Sequence, residues 1–313
     1  MAATLFQPAA HVGASNLRHD LDLSTDEVVH LLDLAQQVKQ SRPRFASALK
    51  GRYLTLLFEK PSLRTRMTFE LAIKQLGGDA VVQTGPVGER EPIKDVARNL
   101  ERWTDGIVAR VFSQDTIEEL AHWARIPVIN ALSDLYHPCQ ALADMLTLRE
   151  QFGRLKGLKL AFVGDGNNVA HSLLLNAARL GVNCSIATPV GFEPKPEIVA
   201  IAREYAAENH TEIEIGNDPE DAVVAANAVY TDVWASMGQE EEASARREIF
   251  APFRVTETLM AGARQDAVFM HCLPAKRGQE TTDEVMESTR SVVFDQAENR
   301  LHAQKALLLM LLQ

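Results

Sequence analysis

Within the stretch Glu59 to Arg66, EKPSLRTR, the hydroxyl of Ser62 and two guanidiniums fall where an apolar run gives way to a helix-like pattern. The first backbone N–H groups of a helix have no acceptor within it, and together with the helix macrodipole they attract an anion. Ser62 is placed to cap that helix through its hydroxyl, while Arg64 and Arg66 offer forked donors matched to phosphate or carboxylate oxygens. The plain alternative is a capped helix carrying solvated arginines. What separates the two readings is whatever else gathers at the same place.

The elements that must position these residues follow from spacing. Upstream, Tyr53 to Phe58 is apolar and β-prone; downstream, Phe69, Ala72, Ile73 and Leu76 recur at helical spacing until Gly77 and Gly78 end the pattern. Ser24 and Glu27 have the spacing of a capping box and open an earlier helix that runs toward Lys39. Further strands are expected at Asp79 to Val82, Gly106 to Val111 and Pro127 to Asn130, then a helix at Gln140 to Phe152. After Gly153 to Gly157 come Leu158 to Val163, Asn183 to Ala187, Glu212 to Ile215, Ala228 to Thr231 and Ala267 to Met270. This alternation predicts an α/β fold of two domains, each a parallel sheet flanked by helices. The first domain spans 1–152 and the second 153–296, with a C-terminal helix, 297–313, crossing back to the first.

In open α/β sheets ligands lie beyond the carboxyl ends of the strands. The first half offers Ser62, Arg64 and Thr65 after one strand, Arg110 at another, and His137 and Gln140 after a third. The second half offers Asp165, Asn167 and Asn168, then Asp232 to Met237, then His271 to Pro274. A crevice between the domains would gather both sets, and this coincidence favours a functional reading of Ser62 to Arg66.

Composition narrows the classes. A chain of 313 residues exceeds the size at which a single core stops growing, so two domains of about 150 residues are expected. A net charge of −10 opposes nucleic acid or an anionic membrane as partner, so a small anion must be met by a local basic site. The longest late apolar run, Ala306 to Leu312, falls short of the roughly 18 residues a bilayer requires. No cationic segment precedes an apolar one at the start, which predicts no secretory signal and a cytoplasmic protein. Three cysteines, Cys139, Cys184 and Cys272, share no CxxC spacing, against a disulfide framework or a structural zinc.

Other motifs fail. Gly164-Asp165-Gly166 begins like a dinucleotide fingerprint, but Val169 stands at the third glycine position and no acid ends the next strand near Ala187. No phosphate-binding lysine motif follows Gly85 or Gly88. Neighbours on an extended segment point to opposite faces, so His271 and Cys272 do not imply a nucleophilic pair. His122, His171, His210 and His302 are scattered, so metal is expected to play no part. Glu240 to Glu242 reads most simply as a solvated charge run, with a mobile lid as the alternative.

Five motifs in order, EKPSLRTR, HPCQ (His137 to Gln140), GDGNN (Gly164 to Asn168), DVWASMG (Asp232 to Gly238) and HCLP (His271 to Pro274), resemble the aspartate and ornithine carbamoyltransferase family. The likeness covers nearly the whole chain, to Glu298-Asn299-Arg300, and the last three motifs are most similar to its ornithine branch. The resemblance implies transfer of a carbamoyl group from carbamoyl phosphate to the δ-amine of L-ornithine, giving citrulline and phosphate, without cofactor. It implies that Ser62, Leu63, Arg64, Thr65, Arg110, His137, Gln140 and Arg300 hold carbamoyl phosphate. Asn168, Asp232, Ser236, Met237, Cys272 and Leu273 are the implied ornithine contacts, with Arg110, His137 and Cys272 at the chemistry. A homotrimer, or a multiple of trimers, is likewise implied.

The chain departs from that family pattern in two places. Leu63 stands where threonine is usual, removing a hydroxyl donor but leaving its backbone N–H. The segment Val81 to Arg90 is short, and Pro86 occupies the place of a glutamine that reaches a neighbouring subunit. Two other readings stay open: a sibling acting on putrescine, aspartate or an acylated ornithine, and a non-catalytic descendant, which would be expected to have lost Arg64, Arg110 or His137.

Overall fold

The structure is a computed structural model and describes residues 13–235 and 243–313. The chain forms two compact units, Met1–Leu146 with Asn299–Gln313, and Thr147–Glu298.

The first unit holds four parallel strands, β1 (Tyr53–Phe58), β2 (Asp79–Thr84), β3 (Gly106–Arg110) and β4 (Val128–Leu132), in the order β2-β1-β3-β4. Around them lie α1 (Thr25–Gln40), α2 (Arg42–Phe45), α3 (Leu63–Gln75), α4 (Ile93–Trp103), α5 (Gln114–Trp123) and the first part of α6 (Pro138–Phe152), which continues into the second unit after Leu146. The expected capping box is present: Ser24 Oγ accepts from the Glu27 N–H, and Glu27 accepts from the Ser24 N–H. On α1, Val28, Leu31, Leu32, Ala35 and Val38 turn one buried stripe inward. The central strands β1 and β3 are buried along almost their whole length, as expected of a sheet covered on both faces. Phe69, Ala72, Ile73 and Leu76 are fully buried; each large apolar side chain so placed contributes about 1.5–3 kcal/mol. Gly78 closes this helix against the chain, because a Cβ there would lie 2.5 Å from the Arg52 carbonyl oxygen.

The second unit holds five parallel strands, β5 (Lys159–Val163), β6 (Asn183–Ala187), β7 (Ile213–Gly216), β8 (Ala228–Thr231) and β9 (Val268–His271), in the order β7-β6-β5-β8-β9. Its helices are α7 (Asn168–Arg179), α8 (Pro196–Asn209), α9 (Pro219–Val223), α10 (Ala243–Phe250), α11 (Glu257–Gly262) and α12 (Asp283–Met286). A last helix, α13 (Val293–Leu312), begins in this unit and continues into the first. It starts four residues before the expected Ala297, and Gln296 in its first turn accepts from the His271 N–H at 2.9 Å. Within the first unit it is buried on nearly every side and is tied to α1 by Lys39 Nζ donating to Asn299 Oδ1 at 2.8 Å, and to α3 through Lys305 and Gln75.

Each sheet reverses its strand order once, between β1 and β3 in the first unit and between β5 and β8 in the second. Such switch points open a crevice at the carboxyl ends of the strands, which is where the candidate residues fall. No described helix is long and apolar enough to cross a membrane.

Candidate active site

At the switch point of the first unit, α3 begins at Leu63, and Ser62, in extended backbone, accepts from the Thr65 N–H at 3.3 Å. The cap consumes one orphan donor and leaves the helix start aimed at whatever lies beyond β1. Leu63, in the first turn, is 75% exposed. Thr65 is buried, and its hydroxyl accepts from Arg300 Nη2 at 2.8 Å, which leaves the hydroxyl hydrogen to be donated elsewhere. Arg110 ends β3 where the register with β4 shifts, a bulge that re-aims a side chain at a strand end.

His137 precedes α6 and is buried. Burial first, then the charges of Arg300, Arg110 and Arg64, hold its imidazole well below the usual pKa of 6.5, so it is neutral at physiological pH. Three guanidiniums, from α13, β3 and α3, thus act on one ring. Gln140, a helical turn further on, is 1% exposed and its Nε2 donates to Asp144 Oδ1 at 2.8 Å. Six sequence candidates, Ser62, Arg64, Thr65, Arg110, His137 and Arg300, therefore converge, with Gln140 one turn away and Leu63 at the helix start. Arg66 does not join them; it is exposed and faces Glu70 at 3.8 Å. Cys139 is an inert spacer, its Sγ donating to the Asn130 carbonyl at 3.4 Å and its thiol pushed up by burial to about 12.

Sequence reasoning gave Glu59 no role, yet it fastens the site's rim. Its Oε1 accepts from the Val87 N–H at 2.9 Å and its Oε2 from the Phe112 N–H at 2.7 Å. Its place at the end of β1 was the available signal, since a carboxylate there can cap loops on both sides.

At the switch point of the second unit the polarity is different. Asn167 caps α7, its Oδ1 accepting from the Val169 and Ala170 N–H groups, and its Nδ2 donates to Asp232 Oδ2 at 2.9 Å. Asn167 is thus structural, as its turn position suggests, and Asn168 opens the helix. Asp232 follows β8, is 7% exposed, and also accepts from the Val233 N–H at 2.7 Å and from Cys272 Sγ at 3.0 Å. Gly166 admits no other residue, because a Cβ would lie 2.3 Å from the Pro194 nitrogen. Ser236, Met237 and Gly238, with Glu240 to Glu242, lie outside the described residues.

One expectation is corrected here. His271 and Cys272 do not diverge as strand neighbours would, because β9 ends at His271 and the chain turns at Leu273, whose φ is +58°. Asp232, His271 and Cys272 thereby bring ligand atoms within 4.8 Å of one another, all buried. A cation fits this trio poorly, since both ring nitrogens of His271 are engaged. Nδ1 accepts from the Leu273 N–H at 2.8 Å and Nε2 meets Glu280 Oε1 at 3.2 Å. Leu273 is held by this ring, and Cys272 by Asp232.

Two α/β units with polar switch points, one of them a donor-rich seat for a small anion, match the two halves of a known enzyme class. A family model described as aspartate/ornithine carbamoyltransferase, carbamoyl-P binding domain, matches residues 16–150, and its Asp/Orn binding domain counterpart matches 156–311. The class is that of carbamoyltransferases. The chain belongs to the aspartate/ornithine carbamoyltransferase family. It is 53% identical to the ornithine carbamoyltransferase of Thermus thermophilus over 291 residues, 92% of this chain and 93% of that one. It is 51% identical to that of Anoxybacillus flavithermus over 297 residues, 93% and 94% of the two chains. The solved ornithine carbamoyltransferase from Pyrococcus furiosus superposes with a TM-score of 0.93 at 47% identity, over 97% of this chain and 99% of the other.

Proposed function

We propose that this enzyme transfers the carbamoyl group of carbamoyl phosphate to the δ-amine of L-ornithine, giving L-citrulline and phosphate, within arginine metabolism in the cytoplasm. One observation carries the reading: the charges of Arg64, Arg110 and Arg300 all bear on the buried imidazole of His137, and Arg300 also donates to Thr65 in the first turn of α3. A small dianion is the ligand that such a seat fits. The carbamoyl phosphate domain is 1–152 with 297–313, and the ornithine domain is 153–296.

The phosphate rests on the N–H groups of Leu63 and Arg64, with Ser62 holding the turn and Arg64 and Arg110 gripping the oxygens. As the amine attacks, charge grows on the carbamoyl oxygen, and the Thr65 hydroxyl, Arg110 and His137 are the donors aimed at it. One such donor is worth about 3–4 kcal/mol in the transition state. Arg300 anchors Thr65, and Gln140 takes the amide. Asp232 takes the α-ammonium end of ornithine, Asn168, Ser236 and Met237 share in holding its α-amino and α-carboxylate ends, and Cys272 and Leu273 lie by the attacking nitrogen. The acyl C–O bond to phosphate in this mixed anhydride is already activated and breaks as the C–N bond forms, with phosphate leaving, so the chemistry needs no cofactor. The amine must attack unprotonated, although a free alkylamine titrates near ~10.4, so the site selects its neutral form.

The assembly is a homotrimer or a multiple of it. Leu63, Met67 and Leu71 recur at four-residue spacing on α3 with 75%, 47% and 38% exposure, an apolar stripe suited to a second copy. Light scattering of the purified protein is expected to give three chains or a multiple, and of Met67→Glu with Leu71→Glu fewer; a wild-type monomer would contradict this part. The activity itself is tested by citrulline formation with an amine screen of ornithine, putrescine, aspartate and N-acetylornithine. Ornithine is expected to be used best, and Arg64→Ala to lose about 100-fold or more in kcat/KM for carbamoyl phosphate. Preference for another amine, or full activity of the variant, contradicts it.

A further inference from the structure

The carbamoyl group differs from the acetyl group of another common acyl phosphate only in bearing NH2 in place of CH3, so rejection of the methyl isostere needs a buried acceptor. Gln140 supplies one. Its side chain is buried, and its Oε1 has no hydrogen-bond partner among the described residues, although an orphaned buried acceptor is costly. An amide can present either its oxygen or its nitrogen to a ligand. Here the choice is fixed from behind, because Nε2 donates at 2.8 Å to Oδ1 of Asp144, which is 0% exposed and lies one turn further along α6. A carboxylate only accepts, so it holds the nitrogen and turns the oxygen away from itself.

We propose that Asp144 is the specificity-setting positioning residue of the acyl phosphate site: by anchoring the Gln140 amide it presents Oε1 to the substrate and selects acyl phosphates bearing NH2 over those bearing CH3. This rests on the carbamoyl phosphate reading above and deepens it. A substrate NH2 satisfies Oε1, whereas a methyl group leaves it desolvated and unpaired. Without Asp144 the amide can rotate and offer NH2 groups that repel a carbamoyl NH2 and are indifferent to a methyl.

The test compares two stable phosphonates, phosphonoacetamide and 2-oxopropylphosphonate, as competitive inhibitors against carbamoyl phosphate. The wild type is expected to prefer the amide by about 10- to 100-fold, the factor that one unsatisfied buried acceptor implies. In Asp144→Asn, whose side chain can accept or donate, the preference is expected to shrink to within about threefold while inhibition by inorganic phosphate changes little. A purely structural role would weaken both phosphonates together and leave their ratio alone. In Gln140→Leu the preference is also expected to vanish, and adding Asp144→Asn should then change it no further. Asp144→Leu, filling the space without a polar atom, repeats the measurement should Asp144→Asn melt early. An unchanged ratio in the Asp144 variants, no preference in the wild type, or failure of both variants to fold would overturn the proposal. Absence of competition by either phosphonate in the wild type would instead remove the anion site on which it rests.

Discussion

The two units place polar side chains at the same topological point, the reversal of strand order, yet build opposite environments there. In the first, α3 opens at Leu63 and Arg64, Arg110 and Arg300 crowd a neutral His137, so the site is made of donors. In the second, the centre is an acceptor: Asp232 receives hydrogen bonds from Asn167, the Val233 N–H and Cys272. Sheet topology locates a site, and the loops decide its charge. The donor-rich seat suits an anion, and the acceptor-centred one suits an ammonium group.

The contrast is broken most strongly by removing the second unit's charge while keeping its shape. Asp232→Asn is expected to raise KM for ornithine by about 10- to 100-fold, the worth of a hydrogen bond to a charged group, with KM for carbamoyl phosphate within a few-fold. Equal losses for both substrates would dissolve the division of labour. Next comes acid stability. His137 is held neutral by burial and by Arg300, Arg110 and Arg64, so its folded pKa lies well below 6.5 and the unfolded chain binds that proton more readily. Its contribution is therefore full above pH 6.5 and is lost as pH falls toward the folded pKa. His137→Asn should accordingly show a shallower fall in Tm between pH 6.5 and 5; an identical slope would mean that the imidazole is not held neutral. The smallest effect is expected from Leu63→Thr. A hydroxyl restored to the first turn of α3 should lower KM for carbamoyl phosphate by about three- to tenfold, and no change would show that the phosphate sits away from that turn.

Much of the first unit's site was legible because its parts are local. Ser62 caps three residues ahead, and Phe69, Ala72 and Ile73 announce the helix that follows. Arg300 was legible only through family likeness, since the Thr65 it bonds is 235 residues away and no spacing rule spans that distance. Asp144 was missed because a carboxylate four residues after a glutamine on a helix looks like any polar pair, and only burial reveals its work. Glu280 escaped for a related reason: its partner His271 is nine residues away across a turn, and the left-handed Leu273 that creates the turn carries no glycine signature. The same turn explains why treating His271 and Cys272 as strand neighbours failed. Strand centres were recovered well, while their ends moved by a residue or two, as with Ile213–Gly216 against an expected Glu212 to Ile215.

The central claim is that the first unit alone seats the phosphate of carbamoyl phosphate. Isothermal titration of phosphonoacetamide into the wild type, Arg64→Ala and Asp232→Asn, with no ornithine present, tests it most directly. The account predicts similar binding by the wild type and Asp232→Asn and at least about 100-fold weaker binding by Arg64→Ala; undiminished binding by Arg64→Ala would contradict it.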